Sequence, residues 1–202
     1  MKSDAIAFGV AGIVFGLIAG WIIGSQQASS RAPGSPAPSA TAPAARESAP
    51  AALVNEAEVT AFKSVAEREP SNPGPRVQLG NLYFDAERFD EAIKWYNEAL
   101  TLQPNDVNAS TDLGVSYYYT NQPDRALEQF SRSLRIDPKH VKTLLNVGVV
   151  RAFGKQDLEG AQQAWQQVIE LAPDSAEAQS ARRALDSLRS AHPNSGSPKP
   201  GA

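Results

Sequence analysis

The sequence predicts an all-α protein: a solenoid of three stacked helical hairpins with a flanking helix at either end. Three observations predict it. Pro70, Pro104, Pro138 and Pro173 recur at intervals of 34, 34 and 35 residues. Between them the same residue types return at the same offsets. Within each interval the apolar residues follow helical rather than strand spacing. A charge-free apolar run and then an Ala/Pro/Ser stretch precede this region, so the expected order is anchor, linker, solenoid.

The expected anchor covers residues 1–24. Ile6 to Gly24 carries no charge. As a helix the run rises about 28 Å, close to the ~30 Å hydrocarbon core of a bilayer. Lys2 and the α-amine lie on one side, partly offset by Asp4, and Trp21 sits near the far end, where an indole suits the interface. This bias places the N-terminus in the cytoplasm and the repeat domain on the extracytoplasmic, periplasmic side of a single-pass protein. A cleaved signal peptide is the competing reading, but its apolar core usually runs ~7–15 residues, and no clean Ala-x-Ala site follows. Gly12, Gly16, Gly20 and Gly24 recur every fourth residue as a candidate association stripe, for a second copy or for another helix.

Residues 25–50 are Ala, Pro and Ser with almost nothing large and apolar. Such a segment cannot offset its ordering entropy by burial and is expected to be a disordered spacer. Residues 192–202 are expected to be a disordered tail for the same reason.

Composition narrows the function. The chain has no cysteine, which excludes a disulfide framework, thiolate zinc sites, Fe–S clusters and a cysteine nucleophile. Its two histidines, His140 and His192, are far apart in sequence. Neither a catalytic set, a metal site nor a cofactor is expected. A formal net charge of −3 gives no electrostatic case for nucleic acid. Gly154-Lys155-Gln156 lacks the flanking residues of a phosphate loop. Glu87, Asp90, Glu91 and Glu98 read as surface electrostatics beside Arg88 and Lys94. His140, at a turn, is expected to be exposed.

The units align residue by residue. The first, residues 73–106, has Leu79-Gly80, Tyr83, Ala92, Tyr96, Ala99 and Pro104. The second, 107–140, has Leu113-Gly114, Tyr117, Ala126, Phe130, Ser133 and Pro138. The third, 141–175, has Val147-Gly148, Ala161, Trp165, Val168 and Pro173, with one residue inserted around Phe153–Gly160. In the second unit Gly114 and Ala126 let two helices approach closely, and Tyr117 and Phe130 fill the space around them. Pro123 marks the start of the second helix and Pro138 its end. Each hairpin leaves an apolar face that its neighbour must cover.

The flanking helices complete this stack. Residues 51–72 read as the second half of a degraded repeat, with Ala57, Ala61, Phe62 and Val65 at helical spacing. Residues 176–191 read as a capping helix. Asp174 with Glu177 is its expected cap. Ala178, Ala181, Leu185 and Leu188 face the stack, and Arg182, Arg183, Asp186 and Arg189 face water.

These residues resemble the tetratricopeptide repeat family, from Pro73 to about Ser175. Arg76, Ser110 and Leu144 stand where the family usually has Trp, and Arg151 where a Tyr is expected. The resemblance implies a right-handed solenoid whose first helices line a concave groove. The projected groove residues are Val77, Asn81 and Phe84; Thr111, Val115, Tyr118 and Tyr119; and Lys142, Leu145, Val149 and Phe153. That is an apolar, aromatic trough with few charges, suited to an extended or helical peptide, with Asn81 placed to grip a backbone amide. Phe84 and Tyr118 could instead pack under the first flanking helix, and Tyr117 is assigned to the core.

One variant of the family clamps a C-terminal carboxylate. The corresponding positions here are Val77, Asn81, Asp112, Lys142 and Asn146, of which only Asn81 and Lys142 fit; Asp112 would repel the ligand. The expected function is a non-enzymatic, membrane-anchored scaffold that binds a peptide or protein partner, in the assembly of an envelope complex. The alternative is a structural, multimerising protein whose groove is filled by its own or a neighbouring chain's segment.

Overall fold

In the computed structural model, residues 54–191 are described, and every regular element among them is helical. In chain order they are α1 (Glu56–Arg68), α2 (Gly74–Asp85), α3 (Phe89–Leu102), α4 (Val107–Tyr119), α5 (Pro123–Ile136), α6 (Val141–Val149), α7 (Leu158–Leu171) and α8 (Ala176–Ala191). A π-helical turn, Val150–Gly154, continues α6. The anchor with its glycine stripe, the linker and the tail lie outside the described residues. Among the described helices none is long and apolar enough to cross a membrane.

Local chemistry sets the helix starts. Asn55 accepts hydrogen bonds from the amides of Ala57 and Glu58 and so caps α1. Asp106 caps α4 through the Ala109 amide, and Asp157 caps α7 through the Gly160 amide. Pro123 occupies the first turn of α5, where its missing N–H is not needed. The cap of α8 is Ser175, not Asp174: the Ala178 amide donates to Ser175 Oγ at 3.0 Å. Ser175 directly precedes the first helical residue, so its hydroxyl reaches the third amide of the helix, which Asp174 is one position too early to do.

Each hairpin turns through one left-handed residue, Glu87 (φ 58°), Asn121 (φ 59°) and Gln156 (φ 56°). The first two occupy the same place in their repeats, and Gln156 comes one residue later. The extra residue sits in the π turn, where the Lys155 amide donates to Val150 O at 3.1 Å. A single insertion into an α-helix is absorbed in this way. It therefore belongs to the end of the first helix rather than to the loop between the two.

The helices pair as α2 with α3, α4 with α5, and α6 with α7. In every pair an aromatic ring lies directly on a glycine. A Cβ added to Gly80 would stand 2.5 Å from Tyr96 Cε1, and one added to Gly114 or Gly148 would collide similarly with Phe130 or Trp165. Ala92, Ala126 and Ala161, on the second helices, are fully buried. Trp165 also donates its indole N–H to Leu145 O at 3.1 Å.

The pairs stack second helix on next first helix: α1 on α2, α3 on α4, α5 on α6, with α8 closing on α6 and α7. One core cluster runs from Val59 through Leu79, Tyr96, Leu113 and Phe130 to Val150. A second gathers Leu144, Trp165, Val168, Ala181, Leu185 and Leu188. The capping stripe on α8 is thus as read, extended by Ala184. On α1 the buried residues are Val59 and Ala66, with Phe62 and Val65 partly covered, while Ala57 and Ala61 are exposed. Small side chains cannot reveal by spacing which of two neighbouring stripes is covered.

The departures from the repeat pattern have structural replacements. Ser110 is buried and accepts from Gln129 Nε2 (2.7 Å) and Ser133 Oγ (2.8 Å). Arg76 pairs with Glu98 at 3.6 Å, and Leu144 is buried. Arg151 lies 3.8 Å from Asp157, the residue that caps α7.

Helix propensity alone favours Ala over Gly by about 1 kcal/mol within a helix. Gly80→Ala is nevertheless expected to destabilise the domain by about 1–3 kcal/mol, because the new methyl overlaps the Tyr96 ring. Gly74→Ala places its methyl 3.1 Å from the Asn72 side chain and should stay within about 1 kcal/mol of the parent. Urea unfolding of both variants is the check, and equal stabilities would refute the close approach.

Candidate peptide-binding face

The face shared by α2, α4 and α6 holds most of the predicted residues. Val77, Phe84, Val115 and Tyr118 are half-buried against the first core cluster, and Leu145, Val149 and Phe153 against the second. Tyr119 is 43% exposed. Phe84 and Tyr118 each have part of the ring against the core and part at the surface. The helix α1 packs on α2, reaching α3 through Lys63 over the Trp95 ring and Glu56 beside Arg88.

Thr111 does not belong to the face. It is 0% exposed, and its hydroxyl donates to Val107 O at 2.7 Å. Its oxygen also shares a hydrogen bond with Thr143 Oγ1 at 2.7 Å, and Thr143 Oγ1 shares another with His140 Nδ1 at 2.7 Å. This chain of hydrogen bonds ties α4 to the start of α6. The repeat register points Thr111 inward between neighbouring first helices, where two short hydroxyl side chains meet. His140 lies at the expected turn but is partly buried by this contact.

Aromatic rings form a continuous row across two hairpins. Phe84 meets Phe89 edge-on with centroids 5.4 Å apart. Phe89 stacks on Tyr119 at 4.4 Å with an interplanar angle of 7°, and Tyr119 lies 6.0 Å from Tyr118. Burial, followed by the neighbouring Tyr119, pushes the Tyr118 hydroxyl up to about 12. Phe89, the first residue of α3, escaped the sequence reading. The corresponding positions of the other hairpins carry Pro123 and Leu158, so no pattern marked it.

Polar groups cross the same face, so it is more charged than the sequence suggested. Tyr96 donates its hydroxyl to Asn81 Oδ1 at 2.8 Å, which ties up one acceptor of the residue expected to grip a peptide. Lys142 Nζ bonds Asp112 Oδ1 at 2.7 Å and bridges α6 to α4. Burial raises the Tyr96 pKa far above its ordinary value, reinforced by Asp112 and Asp85. Burial also raises the Asp112 and Asp85 carboxyls, and Lys142 partly offsets it in both cases. Asp85, one turn after Asn81 and next to Phe84, was legible in principle from that spacing. Asn146 donates to Lys142 O within its own helix at 2.9 Å. Among the described residues no cluster of side chains could hold a metal ion.

Two profiles of one repeat family match the sequence. The profile described as TPR repeat matches residues 80–120, and that described as tetratricopeptide repeat matches residues 143–175. Both matched stretches are thus similar to tetratricopeptide repeats. The solved structures that it resembles include MamA, 16% identical with a TM-score of 0.55 over 66% of this chain and 88% of that one. MamA from residue 41 to the end, from Desulfovibrio magneticus RS-1, is 20% identical, with a TM-score of 0.55 over 67% and 86%. The first TPR domain of human RPAP3 is 24% identical, with a TM-score of 0.52 over 61% and 99%. At these identities the likeness is one of fold. No curated protein matches the sequence.

Two variants test the contacts that join α4 to α6. Thr111→Val removes a buried hydrogen bond and is expected to cost about 1–2 kcal/mol in urea unfolding without altering partner binding. Asp112 has a folded pKa above that of the unfolded chain. Its protonated form is therefore favoured by folding, and the stability it contributes is lost as pH rises through the folded pKa. Asp112→Asn removes that loss, so its stability relative to the parent should rise between about pH 3 and pH 7. A relative fall over that range would mean that the Lys142 pairing outweighs the burial.

Proposed function

We propose that this chain is a membrane-anchored, non-enzymatic scaffold that holds a peptide or an extended segment of a protein partner on the face of α2, α4 and α6. The observation that carries the reading is the aromatic row from Phe84 through Phe89 to Tyr119 and Tyr118. Rings mounted on rigid helices offer large contact area at little conformational cost, and aromatic residues concentrate at the centres of protein interfaces. The packing of α1 on α2 supports it, because that flanking helix belongs to the end of the stack.

In this reading residues 1–24 anchor the scaffold, residues 25–50 set its reach, and the repeats stand on the extracytoplasmic side. Assembly of an envelope complex is the biological setting that such an arrangement suits. Nothing in the repeats calls for a cofactor, since the work is recognition.

Photo-crosslinking in native membranes tests the reading. A crosslinking residue replaces Val115 or Tyr119 on the face, or exposed Arg132 on α5 as the reference. A distinct protein captured from the first two positions alone is expected. The same products from all three positions would refute the binding face, and products containing only this chain would favour a self-assembling role.

A further inference from the structure

Within the binding role argued above, the charges on the face specify the kind of segment that fits. Asn81 and Asp85 lie four residues apart and so share one side of α2. Asp85 adjoins Phe84, and Glu87 follows in the turn, close enough to Tyr119 to act on its hydroxyl. On α4, Asp112 holds Lys142. Two carboxylates, Asp85 and Glu87, thus adjoin the aromatic row, while Asp112 on the same face holds Lys142, which also acts on Asp85. Among the described residues neither Asp85 nor Glu87 forms an ion pair.

A partner with an acidic side chain or a free C-terminal carboxylate would meet this field unfavourably. A cation gains twice, from the carboxylates and from the negative faces of the rings. The chain itself displays the geometry on neighbouring tyrosines. Arg125 lies 4.0 Å over the Tyr117 ring while donating to its hydroxyl at 2.8 Å. Arg88 lies 4.9 Å over the Tyr83 ring while paired with Glu91. A planar guanidinium can stack on a ring and bond a carboxylate edge-on at the same time, which an ammonium cannot do as well.

We propose that the partner segment presents an arginine beside aromatic or apolar residues, its guanidinium lying on the Phe89–Tyr119 stack and bonded to Asp85. The apolar neighbours occupy the half-buried surface of Phe84, Val115 and Tyr118. The face is thereby selective against acidic tails, in the opposite sense to a carboxylate clamp.

The test uses the full chain in a non-ionic detergent and three fluorescent peptides with blocked ends. Their common sequence is Gly-Ser-Phe-Ala-Xaa-Pro-Phe-Ser-Gly, with arginine, its neutral isostere citrulline, or glutamate at Xaa. Fluorescence polarisation is expected to show the arginine peptide binding at least about tenfold more tightly than the citrulline peptide, with the glutamate peptide weakest. Asp85→Asn should close the gap between arginine and citrulline, and Tyr119→Ala should weaken all three. Thermal unfolding of each variant confirms that it is folded.

Equal affinities for arginine and citrulline, or a preference for glutamate, would overturn the proposal. If binding in that case still depended on Tyr119, the binding role of the face would stand and only its charge selectivity would fall. Arginine-peptide binding indifferent to both substitutions, or no binding by any of the three peptides, would overturn the proposal and the binding face together.

Discussion

In each of the three hairpins an aromatic ring from the second helix occupies the space that a side chain on the first helix would need. Tyr96 covers Gly80, Phe130 covers Gly114 and Trp165 covers Gly148. The contact sets how closely and at what rotation the two helices pair, because ring against bare backbone leaves little freedom to slide. Once the pair is set, the first helix has one face for its partner and another for its neighbours. The apolar residues left over, such as Leu79, Leu113 and Val150, then meet the adjacent pair in a continuous core. A repeat protein gains its stability from such local and nearest-neighbour contacts alone.

Stacking the pairs brings α2, α4 and α6 together and creates the face on which function is proposed. Different residues on those helices do different work there. The Thr111–Thr143 hydrogen bond and the Lys142–Asp112 bridge both join α4 to α6, one inside the stack and the other toward solvent. Phe89 and Tyr119 join the first hairpin to the second through a ring stack. The π turn after α6 accommodates one extra residue without shifting Gly148 from Trp165, so the third hairpin keeps the pairing of the other two. The shape of the face is therefore fixed by packing, and its chemistry by the few side chains that packing leaves outside.

Much of the fold was legible because its determinants repeat. The proline spacing, the Leu-Gly pairs, the small residues of the second helices and their aromatic partners each recur, so an error in one unit is corrected by the others. The capping stripe of α8 was legible because Leu185 and Leu188 mark one side of the helix unambiguously. On α1, rich in alanine and carrying fewer large residues, helical spacing marked Phe62 and Val65 but not the more deeply buried Val59 and Ala66. The cap of α8 turned on which of two adjacent oxygens, Asp174 or Ser175, reaches an amide, and composition does not decide that. The site was harder to read than the fold. Thr111 stood at a projected groove position but found a hydroxyl partner 32 residues away. Phe89 gains its role from a ring on another helix, and Asp112 from a lysine on α6. Pairings of that kind arise from the stack and leave no period in the sequence.

The central claim is that ring-on-glycine contact sets the hairpin, and a double-mutant cycle on Gly114 and Phe130 tests it most directly. Phe130 makes no side-chain hydrogen bond, so its replacement by leucine removes the ring without stranding a polar group. If the contact governs the pairing, Gly114→Ala should be at least about 1 kcal/mol less costly in the Phe130→Leu background than in the parent. Additive effects, agreeing to within about 0.5 kcal/mol, would show that the two residues do not constrain each other, and would contradict the account.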